Sequence, residues 1–347
     1  MFLRDLWYFG ALSSELKPGQ HLHRELLGQA ILFGRDHEGR AFAMKDVCPH
    51  RGILLSGGKM QCHDGESQVE CPYHGWRFRT DGSCAAIPSL TADQAEAMDL
   101  SKIRTRTFPL HEDQGLVWIY YGSEDNPEPA IAPPKLDLPE GERPRMVIHD
   151  VFNCHVDHAV IGLMDPAHIP FIHRQWWWRS GSSVHDKAKQ FGPVGRGFSM
   201  LPHIPSKNSY LYALLGEPQT EIRFEIPGLR TEYVKAGGKH FTGFTAVTPT
   251  NENSTAITIV VYWDHPLLHI TPNFLIRKGI EIFVGQDREA VNAQQIGLAY
   301  DPDLMLIHDS DVQAKWYFAL KRAWTKHRET GEPFVNPVKP ATLRWRS

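Results

Sequence analysis

The sequence predicts an α+β fold in two domains, and three observations carry that expectation. A chain of 347 residues exceeds the usual span of a single core. A run dense in proline and charge, SEDNPEPAIAPPKLDLPEGERPR at 123–145, reads as an extended linker. Short β-type runs precede it, whereas β-type runs followed by one long stretch of helical periodicity come after it. The expected organisation is an all-β domain over 1–125, a linker over 126–145 and a second domain over 146–347 that sets an antiparallel sheet beside a long C-terminal helix.

Taken in order, residues 30–45 read as strand, turn and strand: AILFG, then RDHEGR with its turn glycine, then AFAMK. GLVWIYYG at 115–122 is apolar throughout and closes the first domain as a buried strand. Beyond the linker, 153–173 is dense in His and Asp and is followed by WWWR at 176–179. SYLYALL, TEIRFEI, RTEYVK, FTGFTAVTP and TAITIVVYW, between about 208 and 263, read as an antiparallel sheet broken by Gly, Asn and Pro. Residues 272–299 read as helix, and a Pro-bearing tail ends the chain.

Bulk chemistry narrows the function classes. The chain is 41% hydrophobic and 22% charged, with a formal net charge of −3, so charge asks for neither a nucleic-acid nor a membrane-surface partner. No stretch reaches the roughly 18 apolar residues of a bilayer span, and the first residues lack a signal-peptide pattern, so a cytoplasmic location is expected. Five cysteines are an odd, sparse set for a disulfide framework; metal ligation or plain thiols suit them better.

Two short clusters, C-P-H at Cys48 and His50 and C-P-Y-H at Cys71 and His74, each supply one thiolate and one imidazole. The Cys2His2 set fits either structural zinc or a [2Fe–2S] centre with two thiolates on one iron and two imidazoles on the other. Zinc fingers usually pair Cys with Cys and His with His, while two mirrored mixed loops suit the iron–sulfur cluster. Gly52 and Gly75 let both loops turn tightly. Cys62 and His63 compete as ligands but lack the paired arrangement, and the 20 residues between His50 and Cys71 are expected to hold them on a loop.

Together C-P-H-R-G and C-P-Y-H-G-W resemble the Rieske domain of the Rieske non-haem iron oxygenases. Rieske proteins of respiratory complexes carry an extra cysteine in each loop; here Tyr73 stands where the second would be, which favours the oxygenase branch.

A non-haem iron that activates O2 needs two imidazoles and a carboxylate on one face. His168 and His173 supply the imidazoles, with Pro170 expected to break the helix between them so that both rings converge. The acid is found by periodicity. Ile276, Ile280, Phe283 and Val291 form one helical stripe, and Asp287 falls on it. A carboxylate on a buried face is costly unless it is paired or bound to metal. Glu281 and Glu289 lie off the stripe, and Asp309 and Asp311 read as solvated or capping residues.

The resemblance adds further expectations. D-P-A-H-x4-H is similar to the family's two-histidine motif, which implies that Asp165 bridges His168 and, across a subunit boundary, His74. Asp165 followed by Pro166 is equally a good helix N-cap followed by a first-turn proline. Many relatives have Asn where this chain has Gly162, and no role is carried over to it. His155, His158, His185 and His203 read as ordinary surface or core residues, while Trp176, Trp177 and Trp178 either line a pocket entrance or pack the core.

The family implies a helix-grip type catalytic domain, one [2Fe–2S] Rieske cluster, one mononuclear Fe(II), O2 as cosubstrate and a head-to-tail homotrimer. No G-x-G-x-x-G follows a strand, so NAD(P)H acts only indirectly, through a partner ferredoxin or flavin reductase. Strands rich in Tyr, Phe, Leu and Ile suggest an apolar, aromatic or polycyclic substrate with few polar anchors. The expected function is that of a terminal oxygenase component in the monooxygenase and O-demethylase branch. The alternatives are a ring cis-dihydroxylating alpha subunit, a Rieske electron carrier without oxygenase activity, and a zinc-stabilised binding protein.

Overall fold

The computed structural model describes residues 2–123, 127–173, 184–205 and 217–347. The chain divides into two compact units, Phe2–Asp137 and Leu138–Ser347 apart from Met1. The first part of the proline-rich run packs with the N-terminal unit: the Trp7 indole donates to Ile131 O at 2.9 Å, and Gln114 exchanges hydrogen bonds with the Leu136 backbone.

The N-terminal unit is built from β-sheet. Leu6–Leu12, Leu116–Tyr121 and Leu110–Asp113 form one antiparallel sheet; the first two strands are buried at every position, as the apolar run at 115–122 requires. A second sheet orders Gln20–Leu26, Gln29–Arg35, Ala41–Lys45 and Thr107–Phe108, with the expected hairpin at its centre. The third orders Lys59–His63, Glu66–Glu70, Arg77–Arg79 and Cys84–Ala86. Here the expected loop between His50 and Cys71 is corrected to a hairpin. Asp64 and Gly65, with φ of 51° and 79°, supply the left-handed pair that a tight two-residue turn needs. Cys62 is exposed on this hairpin, and His63 bonds Gln61 at 2.9 Å.

The C-terminal unit is α+β. Its eight-stranded antiparallel sheet runs in the order Met146–Phe152, Ser254–Trp263, Lys239–Asn251, Leu229–Ala236, Gln219–Glu225, Gly197–His203, Asp186–Val194 and Ala341–Arg346. Four of these strands fall on the expected runs, whereas SYLYALL at 209–215 and the tryptophans at 176–178 lie outside the described residues. The long helix spans Asn273–Leu298, one residue inside the expected limits at each end. It is fastened to the Met146–Phe152 strand by Arg288 on Asp150 at 2.7 Å and by Arg277 on Val147 O at 3.0 Å.

The C-terminal tail is more ordered than its prolines suggest. Helix Val312–Thr330 buries Ala314, Tyr317, Leu320 and Trp324, and Ala341–Arg346 closes the sheet edge against Asp186–Val194. No helix among the described residues is long and apolar enough to cross a membrane.

Candidate metal centres

The two loops carrying the N-terminal Cys and His residues share one backbone pattern. Gly52 N donates to Cys48 O at 2.9 Å and Gly75 N to Cys71 O at 3.1 Å; Cys48 N donates to Ile53 O and Cys71 N to Trp76 O. Gly52 and Gly75 have φ of 75° and 70°, a left-handed conformation that costs glycine little and other residues more.

Both cysteines are buried and free of disulfides. Burial pushes the Cys48 thiol up to about 11, with the adjacent Cys71 thiol pushing the same way. The His50 and His74 rings lie 4.7 Å apart, and His50 stacks on Trp76 at 4.5 Å and 6°. Thiol thus neighbours thiol, and imidazole neighbours imidazole. His74 Nδ1 is buried without a hydrogen-bond partner, which is costly in a protein interior unless another group occupies that direction.

A single zinc would draw all four donors to within roughly 2.0–2.3 Å of one point. Among the described residues, His168, His173 and Asp287 are the His, Cys, Asp or Glu set whose donor atoms lie within 4.8 Å of one another; the four N-terminal donors are more widely spaced. The spacing suits a two-iron cluster better than one zinc ion.

The second centre lies in the C-terminal unit. Helix Val156–Met164 begins at His155, whose side chain accepts from Asp157 N, and ends at Asp165. A short helix, Ile169–Ile172, then carries His168 and His173 as its two flanking residues. The break therefore precedes Pro170 instead of falling on it: Pro170 stands in the first helical turn, where a missing N–H costs nothing. Asp165 is correspondingly not the N-cap of a helix. Its carboxylate accepts from Ala167 N at 2.7 Å, an Asx turn that bends the chain between the two helices.

His168 Nε2 and His173 Nε2 are 3.2 Å apart, and Asp287 Oδ1 lies 3.4 and 3.2 Å from them respectively. Donors bonded at roughly 2.1 Å to one ion along right-angled directions stand about 3 Å apart, so this triangle fits one face of an octahedral metal. His168 Nδ1 faces Asp165 Oδ2 at 3.6 Å, and His173 Nδ1 bonds Gln286 Oε1 at 2.9 Å. Burial alone would lower His168, but the Asp165 and Asp287 carboxylates outweigh it and hold the imidazole up to about 9. Burial pushes Asp287 up, and the two imidazoles more than reverse this. The electrostatics are those of a place that stabilises positive charge.

Asp287 comes off the long helix at the expected register, with Ile276, Ile280 and Phe283 lining the same cavity. Glu281 is exposed beside Arg277, and Glu289 is exposed too. Asp309 accepts from Arg344 N and Asp311 from Ile307 N, with Asp311 at the N-cap position of Val312–Thr330. A Cβ at Gly162 would stand 2.9 Å from Val291 Cγ2, so the missing side chain lets helix Val156–Met164 approach the long helix. Gln286 escapes sequence reasoning. Its only signal is adjacency to Asp287, and a glutamine in a helix is otherwise unremarked.

The cavity beside this centre measures about 920 Å³ and is lined largely by apolar side chains, among them Phe198, Met200, Ile222, Phe224 and Phe241.

The fold and the two centres define a two-domain metalloprotein, one domain suited to an iron–sulfur cluster and the other to a mononuclear metal beside a substrate-sized cavity. Residues 6–109 match the Rieske [2Fe–2S] domain, and residues 152–316 match the vanillate O-demethylase oxygenase C-terminal domain. The chain belongs to the Rieske oxygenases, whose cofactors are a [2Fe–2S] cluster and a non-haem iron.

It is 31% identical over 196 residues to chlorophyllide a oxygenase of Arabidopsis thaliana, covering 55% of this chain and 33% of that protein. It is 29% identical over 172 residues to the 3-chlorobenzoate-3,4-dioxygenase oxygenase subunit of Comamonas testosteroni, covering 49% and 38%. The alignments with chlorophyllide a oxygenases span 27–33% of those proteins. The crystal structure of dicamba monooxygenase bound to dicamba shares the fold, with a TM-score of 0.70 over 95% of this chain and 99% of that one at 22% identity.

Proposed function

We propose that this chain is the terminal oxygenase component of a Rieske-type system, in which Cys48, His50, Cys71 and His74 hold the [2Fe–2S] cluster and His168, His173 and Asp287 hold the mononuclear Fe(II). The observation that carries the reading is the convergence of those last three donors, 3.2–3.4 Å apart, on the wall of an apolar cavity. When bound, the Rieske cluster supplies electrons one at a time, and the Fe(II) supplies the coordination positions at which O2 is activated.

The chain's own residues do the rest. Three ligands on one side leave the cavity side open to a small molecule. Gln286 Oε1 keeps a proton on His173 Nδ1, which turns the Nε2 lone pair toward Asp287. The aromatic and aliphatic lining excludes water and holds the substrate. Asp165, facing His168 Nδ1, is assigned as the bridge to His74 of a neighbouring subunit in a homotrimer. Electrons come from a separate ferredoxin or flavin reductase, with NAD(P)H one step further back, and the working compartment is the cytoplasm.

The reaction assigned is monooxygenation, as hydroxylation or oxidative demethylation, of an apolar, aromatic or polycyclic small molecule. The vanillate O-demethylase match supports it. The dioxygenase relative favours a second reading, ring cis-dihydroxylation. Product formed under 18O2 separates the two, with one labelled oxygen for the first and two for the second.

Anaerobically purified protein should hold about three irons and about two acid-labile sulfides per chain with a Rieske EPR signal. Asp287→Ala should leave about two irons with the cluster absorption unchanged. Zinc without sulfide would sink the reading, and full iron retention in the variant would remove Asp287 from the ligand set.

A further inference from the structure

The cavity beside the second centre is apolar over most of its wall but carries charge on one strand. In Asp186–Val194, Lys187 and Lys189 stand two residues apart and so share a face of the sheet; both line the cavity, while Asp186, Ala188 and Gln190 are exposed. The carboxylates that line the same cavity are otherwise engaged. Asp165 and Asp287 face the two histidines, and Glu232 is paired with Arg230 at 3.2 Å.

Lys189 has no carboxylate of its own. Its ammonium donates to Ile204 O at 3.1 Å, and no Asp or Glu among the described residues reaches it. Neither 174–183 nor 206–216 contains an acidic residue that could do so. Burial holds this ammonium below its ordinary value, with no acidic neighbour working the other way. A partly buried cation with one neutral acceptor is costly to keep and becomes favourable when an anion arrives.

We infer that the substrate is an amphipathic arene bearing a carboxylate or sulfonate, and that Lys189 is the specificity-determining residue that anchors this anionic group while the apolar wall takes the ring. The inference rests on the oxygenase reading and deepens it, replacing a substrate of few polar anchors by one with a fixed anionic end. Lys187, on the same face, adds to the positive potential there. A 920 Å³ cavity is roomy enough for one or two rings with such a substituent.

The test is calorimetric binding to the metal-replete protein of three probes that share one ring system: 2-naphthoate, 2-naphthalenesulfonate and the neutral 2-naphthamide. At least one anion should bind roughly tenfold tighter than the amide, the worth of one charge-assisted hydrogen bond. Whichever anion shows the preference identifies the head group. Lys189→Met should abolish the preference while leaving amide affinity unchanged, and Lys189→Arg should retain it.

Equal binding of all three probes, a preference that survives Lys189→Met, or binding by none of them overturns the assignment. Iron and sulfide are measured on the same samples. Failure of the oxygenase reading therefore appears as missing metal, separately from the affinities.

Discussion

Replacing Gln286 by Leu tests whether the second centre is a metal site held from outside its ligands. His173 is 6% exposed, and its Nδ1 has Gln286 Oε1 at 2.9 Å as its hydrogen-bond partner. Leucine matches the volume closely but offers no acceptor, so the ring keeps a buried N–H with nothing to receive it, a loss of about 1–3 kcal/mol. The ring can escape by rotating or by moving its proton to Nε2, and either response takes the Nε2 lone pair away from Asp287 Oδ1, now 3.2 Å distant. The expected result is a 10- to 100-fold (approximately) weaker hold on the mononuclear iron, as for other residues that orient metal-bound histidines. Competition between the protein and a graded Fe(II) chelator reads this directly, with cluster absorption as the internal control. Gln286→Glu keeps an acceptor and should hold iron at least as well as the native chain. Unchanged iron affinity in Gln286→Leu would refute the reasoning.

Three further outcomes follow from packing and charge. Gly162→Asn drives a side chain into Val291, where even a Cβ would be 2.9 Å from Cγ2; a loss of about 1–3 kcal/mol is expected in urea unfolding. Adding Val291→Ala should recover part of that loss, and strict additivity of the two changes would exclude the contact as the cause. Asp157 accepts from Tyr317 OH at 2.6 Å and from Lys321 Nζ at 2.5 Å; burial pushes its carboxyl up, and these donors outweigh burial to hold it below 3.8. Its contribution is therefore present above pH 3.8 and lost as pH falls through the lower folded value, so Asp157→Asn should flatten the acid limb of a stability profile; an unchanged limb would contradict this. His50→Ala removes the stacking on Trp76 together with one cluster ligand, so the Rieske absorption should vanish while His168, His173 and Asp287 still retain one iron.

Legibility in the sequence tracked how local each determinant is. The cluster residues sit within C-P-H and C-P-Y-H, so spacing alone exposed them, and the repeated Gly52 and Gly75 turns explain why the spacing takes that form. Asp287 is remote from His168 but lies on a regular helix, and a polar residue on an apolar stripe is visible at 3.6-residue periodicity. Pro170 was misleading because proline ends helices and also begins them; only the backbone distinguishes the two. The stripe Ala314, Tyr317, Leu320 and Trp324 was a usable helix signal, obscured by prolines at 333, 337 and 340. The pairing of Ala341–Arg346 with Asp186–Val194 joins segments about 150 residues apart, and no local pattern encodes such a partner. Gln286 and Lys189 became legible only when a neighbour, or the lack of one, could be measured.

The mirrored closure of the two cysteine loops bears on how the N-terminal unit could be engineered. Each loop is sealed by hydrogen bonds between its own residues, Gly52 to Cys48 and Gly75 to Cys71, and neither borrows one from the Lys59–Glu70 hairpin between them. The tip of that hairpin, Asp64–Gly65, is exposed. It is therefore a natural grafting point: a short affinity peptide or a fluorophore-bearing cysteine inserted there would give a reporter on the cluster-bearing domain without disturbing either grip.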